Sequence, residues 1–319
     1  MFRFFLAICL LASVVTAANA QCCQEQQGHA CCCGNCDVDY DGHGHDSWWR
    51  YTVTNKKPLS RIKNSFFQLS ETDAAWIGGD DDFQVTEINT LLRVAIPLNE
   101  ERTNILALQP GLRTYSLNGP EEVDVPEQLY DAQLSIVWRK TYNDRWQTNV
   151  WLQPKIRSDF ETSEDNFFFS GGAFAKYTWV PDTLDIYFGA LFLDRDDVSF
   201  LPGFGAIWTP TPDWRHEFLL PRPKFAKRIS RTGDSFEKWV YLSGQLGGGS
   251  FAVTRDTGET DKVTLRDLRL FLGIEGVRPG GGGNFLEVGY VFNRGIDYAN
   301  NDEEFDFGDA IMLRGGIRF

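Results

Sequence analysis

Residues 130–139 run Tyr130-Asp-Ala-Gln-Leu-Ser-Ile-Val-Trp-Arg139 and count in twos. Tyr130, Ala132, Leu134, Ile136 and Trp138 share one face; Asp131, Gln133, Ser135, Val137 and Arg139 share the other. Successive strand side chains point to opposite faces, so this alternation predicts a strand with one apolar and one polar side. The same grammar recurs along the chain. Trp146, Thr148, Val150, Leu152 and Ile156 oppose Gln147, Asn149, Gln153, Lys155 and Arg157. Leu184, Ile186, Phe188, Ala190 and Phe192 oppose Asp185, Tyr187 and Gly189. Leu268, Leu270, Leu272 and Ile274 oppose Asp267, Arg269, Gly273 and Glu275.

A soluble sandwich also alternates, and three further features separate it from a membrane barrel. The segments are long, about 9–13 residues, enough for a tilted strand to cross a bilayer, whereas soluble strands usually stop near 5–6. Short connections at 99–103, 142–145, 181–183 and 209–213 alternate with long acidic ones near 116–128, 158–166 and 194–201, the asymmetry of an outer-membrane barrel. Aromatics gather at the short-turn ends: Trp138, Tyr142 and Trp146, then Tyr177 and Trp179, then Trp208 and Trp214. Such rings favour the boundary between acyl chains and water. Closure into a barrel also leaves no unpaired strand edge in lipid.

Thirteen segments are countable, near 64–78, 84–97, 103–115, 129–141, 146–157, 167–179, 183–193, 203–209, 214–228, 238–253, 263–276, 284–293 and 310–319. Bacterial barrels take even numbers, so one segment is split or merged. Pro221/Pro223 and Gly247–Gly249 mark the places, since both break or bend strands. The expectation is all-β: an antiparallel transmembrane outer-membrane β-barrel of about twelve strands, with fourteen the next count, behind an irregular Cys/His-rich N-terminal head. The chain ends on the same pattern. Ile311, Leu313, Gly315, Ile317 and Phe319 oppose Met312, Arg314, Gly316 and Arg318. A terminal aromatic on the apolar face is similar to the signal by which outer-membrane barrels are recognised for insertion, so Phe319 is the expected insertion signal, with the barrel-insertion machinery and outer-membrane lipid as partners.

Composition agrees. The 319 residues include 42% hydrophobic and 14% aromatic side chains and 30 Gly, enough apolar material to exclude disorder over most of the length. A net charge of −13 speaks against nucleic acid, which demands clustered bases. Residues 1–20 carry Arg3, a short apolar run from Phe4 to Val15 and Ala18-Asn19-Ala20, the layout of a secretory signal peptide cleaved before Gln21. The expected location is therefore the outer membrane of a Gram-negative-type bacterium.

Residues 21–62 form a Cys/His-rich head and linker before the barrel at 63–319. Cys22, Cys23, Cys31, Cys32, Cys33 and Cys36 are joined by His29, His43 and His45. In an oxidising compartment six cysteines read first as disulfides, with fifteen possible pairings. Metal capture by thiolates and imidazoles is the alternative, although only Cys33–Cys36 has the CxxC spacing. Asp37, Asp39, Asp41 and Gly42 imitate the start of a calcium loop, but its twelfth position is Trp48 and not a carboxylate. No metal and no cofactor is assigned.

The tracts Leu201–Pro210, Asp213-Trp214 with Phe218–Pro223, Val240–Ser250, Arg266–Gly273 and Leu286–Arg294 resemble an uncharacterised bacterial family, a domain of unknown function regarded as an outer-membrane β-barrel. The resemblance covers roughly 84–319 and implies the barrel and the compartment. It implies no catalytic residue and no substrate.

A hydrolase needs a nucleophile beside an oriented base. The barrel's one histidine, His216, lies between Arg215 and Glu217 with no serine within two residues, and reads as a lumen or interface side chain. Gly280–Gly283 precedes a strand and reads as a turn, not a phosphate cradle. No catalytic residue is expected. The inward register collects charge instead: Arg93, Arg113, Arg139, Lys155, Arg157, Lys176, Arg269, Arg314 and Arg318 against Glu87, Asp131, Asp185, Asp267, Glu275 and Glu287. Such charges either brace a narrow barrel as pairs or line a small wet passage. Two function classes follow: a narrow pore for small solutes, or a structural or surface-interaction envelope protein with a closed lumen.

Overall fold

The computed structural model describes residues 56–79, 83–162, 164–193, 199–300 and 303–319. The expected signal peptide and the Cys/His head, with the six cysteines and the calcium-like tract, lie outside the described residues. Fifteen strands form: β1 (Phe67–Gly79), β2 (Gln84–Pro97), β3 (Asn104–Asn118), β4 (Gln128–Thr141), β5 (Trp146–Ser158), β6 (Phe167–Val180), β7 (Leu184–Phe192), β8 (Phe200–Trp208), β9 (Trp214–Phe218), β10 (Lys224–Thr232), β11 (Phe236–Thr254), β12 (Thr260–Val277), β13 (Gly283–Tyr298), β14 (Glu304–Phe307) and β15 (Ala310–Arg318). Each pairs antiparallel with its neighbour, and β15 returns to β1 from Glu71↔Arg318 to Gly79↔Ala310. β14 only prolongs the line of β15 along β13. The wall is therefore a closed antiparallel barrel of fourteen strands, the second of the two expected counts.

The fourteenth strand comes from the prolines. Residues 214–228 form β9 and β10, joined through Pro221 and Pro223, which lack the N–H a ladder needs. The glycine tract does not divide its strand. β11 keeps one unbroken register with β12 from Glu237 to Thr254, and Gly248 and Gly249 absorb a bend at φ +70° and +152°. A side chain at Gly249 would strike the Arg157 guanidinium.

At the short-turn end the outside of the wall is apolar. Ile88, Leu112, Leu134, Leu152, Leu270, Leu272, Ile274, Leu286, Val288, Leu313 and Ile317 all project outward and exposed, the lipid-facing band of a transmembrane barrel. At its rim, Trp146 packs on Tyr177 at 4.8 Å and on Phe188 at 5.9 Å, and Tyr177 meets Trp179 at 6.1 Å. His216 belongs to this outer girdle, between Trp208 and Trp214.

On β2–β4 the pattern inverts toward the long-loop end. Gln84, Thr86, Ser116, Asn118 and Gln128 are outward and exposed. On the inside, Val85, Tyr115, Leu117, Leu129, Phe251, Val253, Val263, Leu265, Ile296 and Tyr298 are buried in one apolar core. That is the grammar of a water-soluble barrel. The end of β5 crosses the interior to pair with β11 in parallel at Ala252↔Ser158, and the Thr254 amide donates to Asp159 Oδ2 at 2.6 Å. This clasp closes nine strands (β11, β12, β13, β15 and β1–β5) into a smaller barrel above the membrane wall. The 18- and 19-residue strands are long because they serve both storeys. Burying each Leu, Val or Phe here contributes about 1.5–3 kcal/mol, so the upper storey is a dome with its own core.

Candidate functional site: the lumen

Beneath the apolar dome lies a layer of paired charge. Arg269 on β12 reaches across the lumen to Glu87 on β2 at 2.5 Å and also binds Asp267 at 2.6 Å. Arg157 pairs with Asp131 at 2.7 Å and stacks over the Phe251 ring. Arg314 joins Asp73 at 2.8 Å and Glu287 at 3.4 Å, and Tyr241 donates to the same Glu287 at 2.7 Å. Arg222, on the β9–β10 connection, is a third partner of Glu287 at 3.5 Å. Apart from the exposed Arg222, these groups are withdrawn from water, where a lone charge is costly and a paired one holds its neighbours in place.

The short-turn mouth is covered on one side by residues 56–63. Lys57 pairs with Asp182 in the β6–β7 turn, and the Leu59 amide donates to Glu237 Oε1. Arg228 and Arg231 donate to the carbonyls of Lys56 and Lys57. Arg61 pairs with Glu275 at 2.7 Å, where Lys224 at 3.2 Å and Arg318 at 3.1 Å converge. The Gly280 amide donates to the Ser60 carbonyl, so the glycine turn serves to seat this strap. Outside the membrane band, Arg255 ties the β11–β12 loop to Asp124 and Glu303 at 2.6 and 2.9 Å. Burial alone would lower its pKa, but the hydrogen bonds it donates to these carboxylates raise it.

The wall from β2 to β9 is different. Many of its inward side chains are polar and not packed into the core: Arg93 is exposed although it faces inward, and Gln133, Arg139, Gln147, Asn149, Gln153 and Lys176 are half-buried. Toward the long-loop end this side also closes, where Phe168, Leu191, Lys155 and Ser170 are buried and Lys155 donates to Ser170 at 2.6 Å.

The charges of the inward register fall in two settings. Arg113, Lys155, Arg157, Arg269, Glu287, Arg314 and Arg318 sit in or beside the packed half, with Arg113 donating to Tyr115. Arg93, Arg139 and Asp185 line the open half; Arg93 donates to Gln109 at 2.7 Å and Lys176 stands 3.6 Å from Asp185. Arg228 was missed. It is buried and joins Asp213 and Glu237 at 2.6 Å each. The inward residues are odd-numbered in β9 (Arg215, Glu217) and even-numbered in β10 (Lys224, Ala226, Arg228), so a single continuous strand assigns the wrong face to one half. His216 faces outward, and its Nδ1 has no partner among the described residues. Phe319 carries an exposed side chain, and its backbone exchanges two hydrogen bonds with Ser70.

No family model and no curated protein matches the chain. Among solved structures it is similar to the NanC porin, at 8% identity and a TM-score of 0.33, over 78% of this chain and 98% of that one. The barrel assignment rests on the strand pairings themselves.

Proposed function

We propose that this chain is an outer-membrane β-barrel whose lumen is sealed at the long-loop end and reached by solutes from the short-turn end. In such barrels the short turns face the periplasm and the long loops face outward, which would place the dome outside the cell. The apolar outer band, the signal-like residues 1–20 and the terminal Phe319 support that compartment. Outer-membrane lipid and the barrel-insertion machinery are its proposed partners. The reading is non-enzymatic, because the lumen offers a braced charge layer and a polar wall, and His216 lies outside it.

The observation that carries the closed lumen is the β5–β11 clasp with the buried core above it. The test is single-channel recording on refolded protein in a planar bilayer, with no steady current expected. A stable open level in the unmodified chain would overturn the closure. A gated narrow pore is the second reading, favoured by the half-exposed polar wall of β2–β9. It requires that Asp159→Ala, which removes the acceptor of the Thr254 amide, produces channel openings.

A further inference from the structure

On the open side of the lumen three aromatic rings follow one another around the wall: Trp151 on β5, Phe174 on β6 and Tyr187 on β7. The pairings Trp151↔Gly172, Phe174↔Gly189 and Tyr187↔Gly205 put a glycine beside each ring on the inner face. A side chain at Gly203 would collide with the Phe174 ring and one at Gly172 would press on it at 3.2 Å, so that ring rests against bare backbone. Half-buried, none of the three has a ring or cation partner among the described residues, and neither the Trp151 indole N–H nor the Tyr187 hydroxyl has a hydrogen-bond partner there. Buried Trp and Tyr normally satisfy those polar edges, so rings left free in a lumen are available to a ligand.

Amides run alongside. Gln153 donates to Gln133 Oε1 and to Ser135 Oγ, both at 2.7 Å, and Gln147 donates to Asn149 Oδ1 at 3.0 Å. These bonds leave Gln147 and Gln153 an acceptor oxygen each and Asn149 its donor. Arg139, next in register to Asn149, has no ion pair or hydrogen bond among the described residues. Lys176 and Asp185 offset each other's charge.

We propose that this wall binds a polyhydroxylated solute, a saccharide chain, with its C–H faces stacked on Trp151, Phe174 and Tyr187 and its hydroxyls shared among the amides and Arg139. A hydroxyl both donates and accepts, which matches side-chain amides. A simple anion would leave the amide oxygens unused, and an apolar ligand would strand every polar group on the track. The assignment rests on the lumen being reachable from the short-turn end.

The experiment is calorimetric titration of the full refolded chain in sugar-free amine-oxide micelles with maltohexaose, chitotetraose and trigalacturonate. At least one oligomer binds saturably, and Trp151→Ala and Phe174→Ala each weaken it by about tenfold or more. Trp151→Phe, which keeps a ring, retains most of the affinity, and Phe204→Ala on the outer wall leaves it unchanged. Gel heat-modifiability identifies any variant that has not folded. Binding of none of the three oligomers, or binding indifferent to both inner alanines, overturns the proposal. The titration needs no bilayer, so its failure is distinct from a failure of the closed-lumen reading, which is decided by conductance.

Discussion

Phe251→Ala tests whether the upper storey is a packed core or a wet vestibule. Phe251 is fully buried on β11, and its ring lies edge-on to Tyr115 at 5.2 Å, with the Arg157 guanidinium 5.4 Å from its centroid. Truncation removes the transfer free energy of the ring and leaves a cavity, together about 3–5 kcal/mol. The lost aromatic pair is part of that range or adds at most ~1 kcal/mol. Close packing limits how far the neighbours can collapse into the gap, because Gly249 admits no side chain beside Arg157. The assay is urea unfolding of the refolded protein in micelles, followed by tryptophan fluorescence. Phe204→Ala serves as the control, since its ring is 77% exposed on the outer wall and should cost little in detergent. A loss below about 1 kcal/mol for Phe251→Ala would refute the packed dome and return the interior to water.

Leu152→Arg places a charge on the lipid face and should cost about 2–4 kcal/mol in vesicles, whereas Gln153→Arg on the inner face should be milder; the reverse order in equilibrium unfolding would invert the strand. Deleting Phe319 should reduce the amount of inserted protein in cells more than it slows unassisted refolding in vitro; equal losses in both would leave the terminal aromatic a purely structural role. Cys22, Cys23, Cys31, Cys32, Cys33 and Cys36 should be oxidised and dispensable for barrel formation. Thiol counting on the denatured, unreduced protein checks this, and six free thiols with stoichiometric zinc or copper would make the head a metal-capture segment instead.

The membrane storey is legible in the sequence because a bilayer enforces a strict period of two on it. Leu270, Leu272 and Ile274 meet lipid and Arg269, Gly273 and Glu275 do not, so the pattern can be read without any partner strand. The dome is not legible that way. Its inward Val263 and Leu265 continue the same alternation with the faces exchanged, and nothing local marks the residue at which lipid gives way to water. Met312 shows the consequence. Its register points inward, as the alternation requires, but it is packed in the core and does not line open lumen. Residues 56–62 read as linker in the sequence because their contacts are set by turns far along the chain, such as Ser60 with Gly280. Arg228 was hidden by the proline break that changes the parity between β9 and β10.

The division of the lumen follows from the β5–β11 pairing together with the great length of β11–β13. β11, β12 and β13, at 19, 18 and 16 residues, rise well past the lipid band, whereas β7, β8 and β10 have nine residues each and β9 has five. A tall wall standing on part of a ring exposes free strand edges at its two sides, and free edges seek partners. Here the tall wall ends at β5 on one side and β11 on the other, and those two edges meet each other. Closing the upper storey across the barrel necessarily leaves β6–β10 outside it. The inner faces beneath the dome are thereby filled with core and ion pairs. The inner faces of β5–β7 keep rings and amides that the closure does not use. The same β5–β11 pairing that closes the upper storey thus leaves free the surface to which saccharide binding is assigned.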